Sequence, residues 1–93
     1  MRTIEWTGQF KKDFKRESKG PHRKVLVADF FALVERLARD EVLEQRYRDH
    51  ALTGEWRDFR DCHVRPDLVL IYMKDGVETL RLVRLGSHAE LGL

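Results

Sequence analysis

Cysteine is almost missing: Cys62 is the only one in 93 residues. No internal disulfide can form, and a reducing compartment suits the chain. Long apolar runs are missing too. The longest, residues 68–73, falls far short of the ~20 residues that a membrane helix requires. The opening Met-Arg-Thr-Ile-Glu-Trp lacks the apolar core of a secretory signal, so the expected location is the cytoplasm. There are no repeats, low-complexity segments or linkers, and the two prolines, Pro21 and Pro66, each sit at an element boundary. No closely spaced pair of metal ligands occurs, so no metal and no other cofactor is expected.

What is present fits one domain spanning residues 1–93. Hydrophobic residues at 42% suffice for one modest core, and charged residues at 37% imply a heavily ionic surface. The net charge is only +2, but it is unevenly spread. Lys11, Lys12, Lys15, Arg16, Lys19, Arg23 and Lys24 crowd a short stretch that holds only Asp13 and Glu17 as acids. Such a cluster suits a polyanion such as RNA, although a solvated helix face carries the same residues.

Residues 2–6 read as a short strand, with Ile4 and Trp6 on one face. Thr7 can cap a following helix, in which Phe10 and Phe14 share a side, and Gly20-Pro21 ends it. A second helix, from residue 21 or 22 to about residue 39, carries Val27, Phe30, Phe31, Val34, Leu37 and Ala38 at helical spacing. The short link makes the two helices a hairpin. Residues 40–55 show no period and read as a long loop. Three strands follow, at 56–64, 68–73 and 78–85, with Asp75-Gly76 forming a tight turn between the last two.

The polar groups gather late in the chain. His63 lies near the end of its strand, Asp67 just across the Arg65-Pro66 turn, and antiparallel pairing returns Arg84 toward the start of the middle strand. These three should converge at one end of the sheet, with His88 just beyond; His50, in the loop, is not placed by this argument. Histidine can give or take a proton near neutral pH, and arginine binds phosphate oxygens through a fixed fork of donors. Those are the requirements for cutting RNA through its own 2′-hydroxyl: a base, an acid and a cation for the phosphate. Arg60 is a further candidate RNA contact, although it can simply pair with Asp61 across strands. His22 reads as structural, and Trp56, Phe59 and Tyr72 read as core.

At these residues the chain resembles the YafQ branch of the RelE/ParE toxin superfamily. The matching pattern is Asp49-His50-x-Leu52-x-Gly54-x-Trp56-x-x-x-Arg60-Asp61-x-His63-Val64-x-Pro66-Asp67, then Leu70-Ile71-Tyr72 and Leu82-x-Arg84-x-Gly86-x-His88. The resemblance extends to Gln9-Phe10-Lys11-Lys12-Asp13 and covers essentially the whole chain. It implies an α+β fold: an N-terminal strand and a two-helix hairpin packed on a mainly antiparallel four-stranded sheet. It implies a metal-free endoribonuclease that cuts messenger RNA in the ribosomal A site, docks on 16S ribosomal RNA, and is neutralised by a cognate antitoxin of the DinJ type. Its site would comprise His50, His63, Asp67, Arg84 and His88, with Arg84 on the phosphate and His88 as the acid; His50, His63 and Asp67 remain open as base or orienting group. The chain departs from some relatives in carrying Leu68 in place of tryptophan and in ending Leu91-Gly92-Leu93 without an aromatic. A gyrase-binding toxin of the same superfamily, or a plain RNA-binding domain, are the alternatives. Three titratable histidines in one region argue against the first.

Overall fold

The computed structural model describes residues 1–93. The elements are β1 (Thr3–Trp6), α1 (Gly8–Glu17), α2 (Arg23–Val25), a π-helical turn (Leu26–Phe30), α3 (Phe31–Ala38), β2 (His50–Ala51), β3 (Arg60–Arg65), β4 (Leu68–Asp75), β5 (Thr79–Gly86) and α4 (His88–Leu91). The fold is α+β, as expected, but the sheet has five strands rather than four, in the order β1-β5-β4-β3-β2. β1 runs parallel to β5, and every other pair is antiparallel.

The additional strand is β2, inside the stretch expected to be loop. Its two residues pair with Arg60 and Asp61. Two residues cannot display a period, so only the pairing reveals them. β3 starts later than expected, because residues 54–56 form a 3₁₀ turn that folds Trp56 and Phe59 onto the sheet, their rings 5.3 Å apart. The Leu52 amide then donates to the Phe59 carbonyl at 3.0 Å, closing a wide hairpin that holds β2 against β3. The final helix α4 was also not anticipated. Ser87 caps it with a reciprocal pair of bonds to Glu90, a sequence signature legible in the Ser-x-x-Glu spacing.

Thr7 caps α1 as expected, its hydroxyl accepting the Phe10 amide at 3.1 Å. The α2–α3 helical run buries Leu26, Phe30, Leu33, Val34, Leu37 and Ala38, whereas Val27 is 83% and Phe31 48% exposed. The predicted stripe was therefore rotated by about one residue. The run is apolar almost all round between residues 25 and 34, so helical spacing fits two faces and packing chooses one. These side chains, with Phe10, cover Cys62, Val64, Leu68, Leu70, Tyr72, Leu80, Leu82 and Leu85 from the sheet. Burial leaves Cys62 a neutral thiol, its pKa far above the ordinary value.

β4 is apolar on both faces, as a strand covered twice must be. Leu68, Leu70 and Tyr72 enter the main core, while Val69 and Ile71 face the other way, joined by Leu91 of α4 with Leu52, Trp56, Phe59 and Val83 around them. That second face is where the polar groups gather.

Candidate active site

Alternation along β3 sends Cys62 and Val64 into the core and Asp61 and His63 to the opposite face. Pairing then aligns a cross-strand row: His50 opposite Asp61, Asp61 opposite Ile71, and Ile71 opposite Arg84. The next row on this face pairs His63 with Val69 and Val69 with Gly86. Beyond Gly86 the chain turns into α4, which brings the His88 ring to 4.9 Å from that of His63. Neighbouring strands are about 4.8 Å apart, so Arg84 lies about 10 Å across the sheet from Asp61.

Asp61 is the residue that sequence reasoning undervalued. It does not pair with Arg60, whose Nε is 3.3 Å from both Asp49 Oδ1 and the Tyr72 hydroxyl. Asp61 is only 2% exposed, and its Oδ1 has no hydrogen-bond partner although His50 Nδ1 is 3.2 Å away. Burial pushes its carboxyl above the usual range, while the nearby His50, His63 and His88 favour the charged form and oppose that rise. The signal that could have found it is strand period: His63 and Asp61 are two apart, hence on one face.

His50 Nδ1 lies 2.6 Å from the Arg48 carbonyl. A carbonyl can only accept, so Nδ1 carries the proton, and in the neutral ring Nε2 is left as an acceptor. His63 is held below the ordinary histidine range, first by burial and then by the neighbouring His88, Arg48 and His50, against the pull of Asp61. It is therefore a neutral imidazole at neutral pH, able to accept a proton.

Asp67 does not join this group by any contact. It sits in the β3–β4 turn, 75% exposed, with Oδ2 3.3 Å from His22 Nε2. Arg84 lies three residues into the β4 pairing rather than at its start, because a bulge beside Val83 shifts the register. Its Nε donates to Asp13 Oδ2 at 2.7 Å. The basic cluster divides as well. Lys11, Lys12, Lys15, Lys19, Arg23 and Lys24 are exposed and form no ion pair, whereas Arg16 is tied to Asp13, Glu17 and Glu90. Arg16 is thus spent within the protein. Beside His63, a cleft of about 470 Å³ opens between the helices and the edge of β3, lined by Arg36, Arg46, Arg65 and Tyr47 among others.

Comparison with known proteins gives the family. Residues 2–92 match the family model described as the bacterial toxin of type II toxin-antitoxin systems, YafQ. The chain belongs to the YafQ toxin family. The mRNA interferase toxin YafQ of Escherichia coli (strain K12) is 40% identical over 92 residues, covering 98% of this chain and 96% of that one. The E. coli DinJ-YafQ complex superposes with a TM-score of 0.78 at 36% identity, covering 98% of each chain. A metal-bound toxin from Helicobacter pylori gives a TM-score of 0.80 at 44% identity, covering 98% of this chain and 99% of that one. In this YafQ-family chain, no group of three or more His, Cys, Asp or Glu is placed to hold an ion. No helix of this family member is long and apolar enough to cross a membrane.

Proposed function

We propose that this toxin is a ribosome-dependent endoribonuclease that cuts messenger RNA in the A site by acid-base transesterification. It would act in the cytoplasm and be silenced by a cognate antitoxin of the DinJ type. The observation that carries the reading is the His63–His88 pair, 4.9 Å apart, on the face that also presents Arg84 and the buried Asp61.

In this reaction His63 takes the proton of the RNA 2′-hydroxyl, and the 2′-oxygen forms a new bond to phosphorus. The bond from phosphorus to the 5′-oxygen breaks, and His88 gives that oxygen its proton. The products are a 2′,3′-cyclic phosphate and a free 5′-hydroxyl. Arg84 stabilises the charge that builds on the phosphate, a contribution commonly worth about 10²–10³-fold. Asp61 steadies whichever imidazole is protonated, and His50 offers Nε2 as an acceptor to a ribose hydroxyl. Asp67, turned to His22, takes no part in these steps. The exposed lysines of α1, with Lys19, Arg23 and Lys24, supply positive charge for 16S ribosomal RNA, whereas Arg60 is held by Asp49.

The test is incubation of purified protein with ribosomes programmed with a defined message, followed by mapping of new RNA ends. Cuts within the A-site codon, absent without ribosomes and lost in His88→Ala, are expected. Wild-type protein that binds ribosomes but leaves the message whole would reject the nuclease reading.

A further inference from the structure

We propose that Asp13 of α1 is a positioning residue that aims Arg84 at the scissile phosphate. This rests on the role given to Arg84 above. β1 pairs with β5 only as far as Leu82, so the outer edge of β5 is open beyond that point. Thr7 covers the first residues, its amide donating to the Leu82 carbonyl and its hydroxyl to the Val83 carbonyl. After that, side chains of α1 take the place of a strand. Asp13 Oδ2 accepts the Leu85 amide at 3.0 Å, and Arg16 Nη2 donates to the Leu85 carbonyl at 2.7 Å.

Asp13 is completely buried and its oxygens are fully engaged. Oδ2 accepts from Arg84 Nε at 2.7 Å as well as from Leu85. Oδ1 accepts from Arg16 Nη1 at 3.1 Å, from Gln9 Nε2 at 3.2 Å and from Arg84 Nη2 at 3.4 Å. Burial opposes its charge, but hydrogen bonds from Arg84, Leu85 and Gln9 outweigh it and hold the carboxyl below its usual range. The carboxylate is therefore fixed and ionised. It grips one edge of the Arg84 guanidinium and leaves Nη1 without a protein partner. An arginine has five donors in a rigid fork, so clamping one edge fixes where the other points. Without Asp13 a long side chain would sample many rotamers, and a group misplaced by about 1 Å can cost 10²-fold in rate. The helix that carries the exposed lysines thus also sets the phosphate-binding group.

A strand-edge role alone would make Asp13 merely structural, and a double-mutant cycle separates the two. Asp13→Asn keeps an oxygen for the Leu85 amide but loses the charge that holds Arg84. In single-turnover cleavage at saturating programmed ribosomes, its rate should fall about 10–10²-fold, with half-saturation unchanged. In an Arg84→Ala background, Asp13→Asn should cost nothing further. An equal loss in both backgrounds, or a wild-type rate in the folded variant, overturns the inference while wild-type cleavage keeps the nuclease reading intact. Should Asp13→Asn not fold, Arg16→Gln serves, since Arg16 is 42% exposed and is one of the donors that seat the Asp13 carboxylate. A fall of about two- to fivefold in rate at unchanged ribosome affinity is expected. Weaker affinity at an unchanged rate would make α1 a docking element only.

Discussion

His63 and His88 come from β3 and from the last helix, and their rings stand 4.9 Å apart, nearly edge to face. Burial depresses the pKa of His63, whereas His88 is exposed at the rim of the same face. In the proposed reaction the first imidazole accepts a proton and the second meets the leaving group.

The first prediction concerns that leaving group. His88→Ala and Arg84→Ala should each slow cleavage by about 10²–10⁴-fold. On a substrate with sulfur at the bridging 5′ position, which departs unprotonated, His88→Ala should regain most of its lost rate. Arg84→Ala should stay slow, because the phosphate charge still lacks its partner. Equal impairment of both on the sulfur substrate would remove His88 from the role of acid.

The pH profile should identify the base. His63 must be neutral to act, so the rate should rise with pH through a midpoint below about 6.5, the unperturbed histidine value. In His63→Ala the acidic limb of the residual activity should move or vanish. An unchanged limb would transfer the role to His50. Stability carries the same sign: the unfolded chain protonates at the ordinary histidine value before the folded one does. Stability attributable to His63 should therefore decline as pH falls below that value, measurable by urea melts between neutral and mildly acidic pH.

Asp61 should trade stability for activity. Its folded pKa is raised, so its favourable contribution is present at low pH and is lost as pH rises through that raised value. When ionised it is a buried charge with an unpartnered oxygen. Asp61→Asn should stabilise the fold by about 1 kcal/mol, seen as a higher melting temperature. It should slow cleavage by about tenfold or more, since the histidines lose their anionic neighbour. A destabilised variant with normal activity would mean that Asp61 is there for packing.

The exposed lysines give a prediction in salt. Replacing Lys11, Lys12 and Lys15 with glutamine should weaken ribosome binding and flatten its dependence on salt concentration, as expected when phosphate contacts are lost. The melting temperature should not move, since none of the three side chains is paired. Affinity that is unchanged across a salt series would leave this face simply solvated.

Expressed alone in a bacterium, the chain should arrest growth, and co-expression of its antitoxin should relieve the arrest. Normal growth with abundant soluble protein would count against toxicity.

Much of the molecule was legible in the order of residues, because short-range physics governs those parts. Thr7 sits where a helix cap is needed, and the apolar residues 68–73 form a strand covered on both faces; a hairpin does follow, but its turn is residues 76–78, because Asp75 still pairs with Thr79. The candidate residues His50, His63, Arg84 and His88 were picked out by type and motif. The arrangement was not legible. Helical spacing could not tell Leu26 from Val27 as the buried residue, since each fits an apolar face of its own and only the sheet beneath decides. β2 exists through its partners. Asp61 stands out only when folding removes its water and leaves three imidazoles around it, and Asp67 was drawn off to His22, in the turn before α2 and far away in sequence. Arg16 looked like one basic residue among seven until the open edge of β5 claimed it. Charge and periodicity belong to the sequence, but desolvation and partnership depend on which distant segments meet, and the tertiary fold alone decides that.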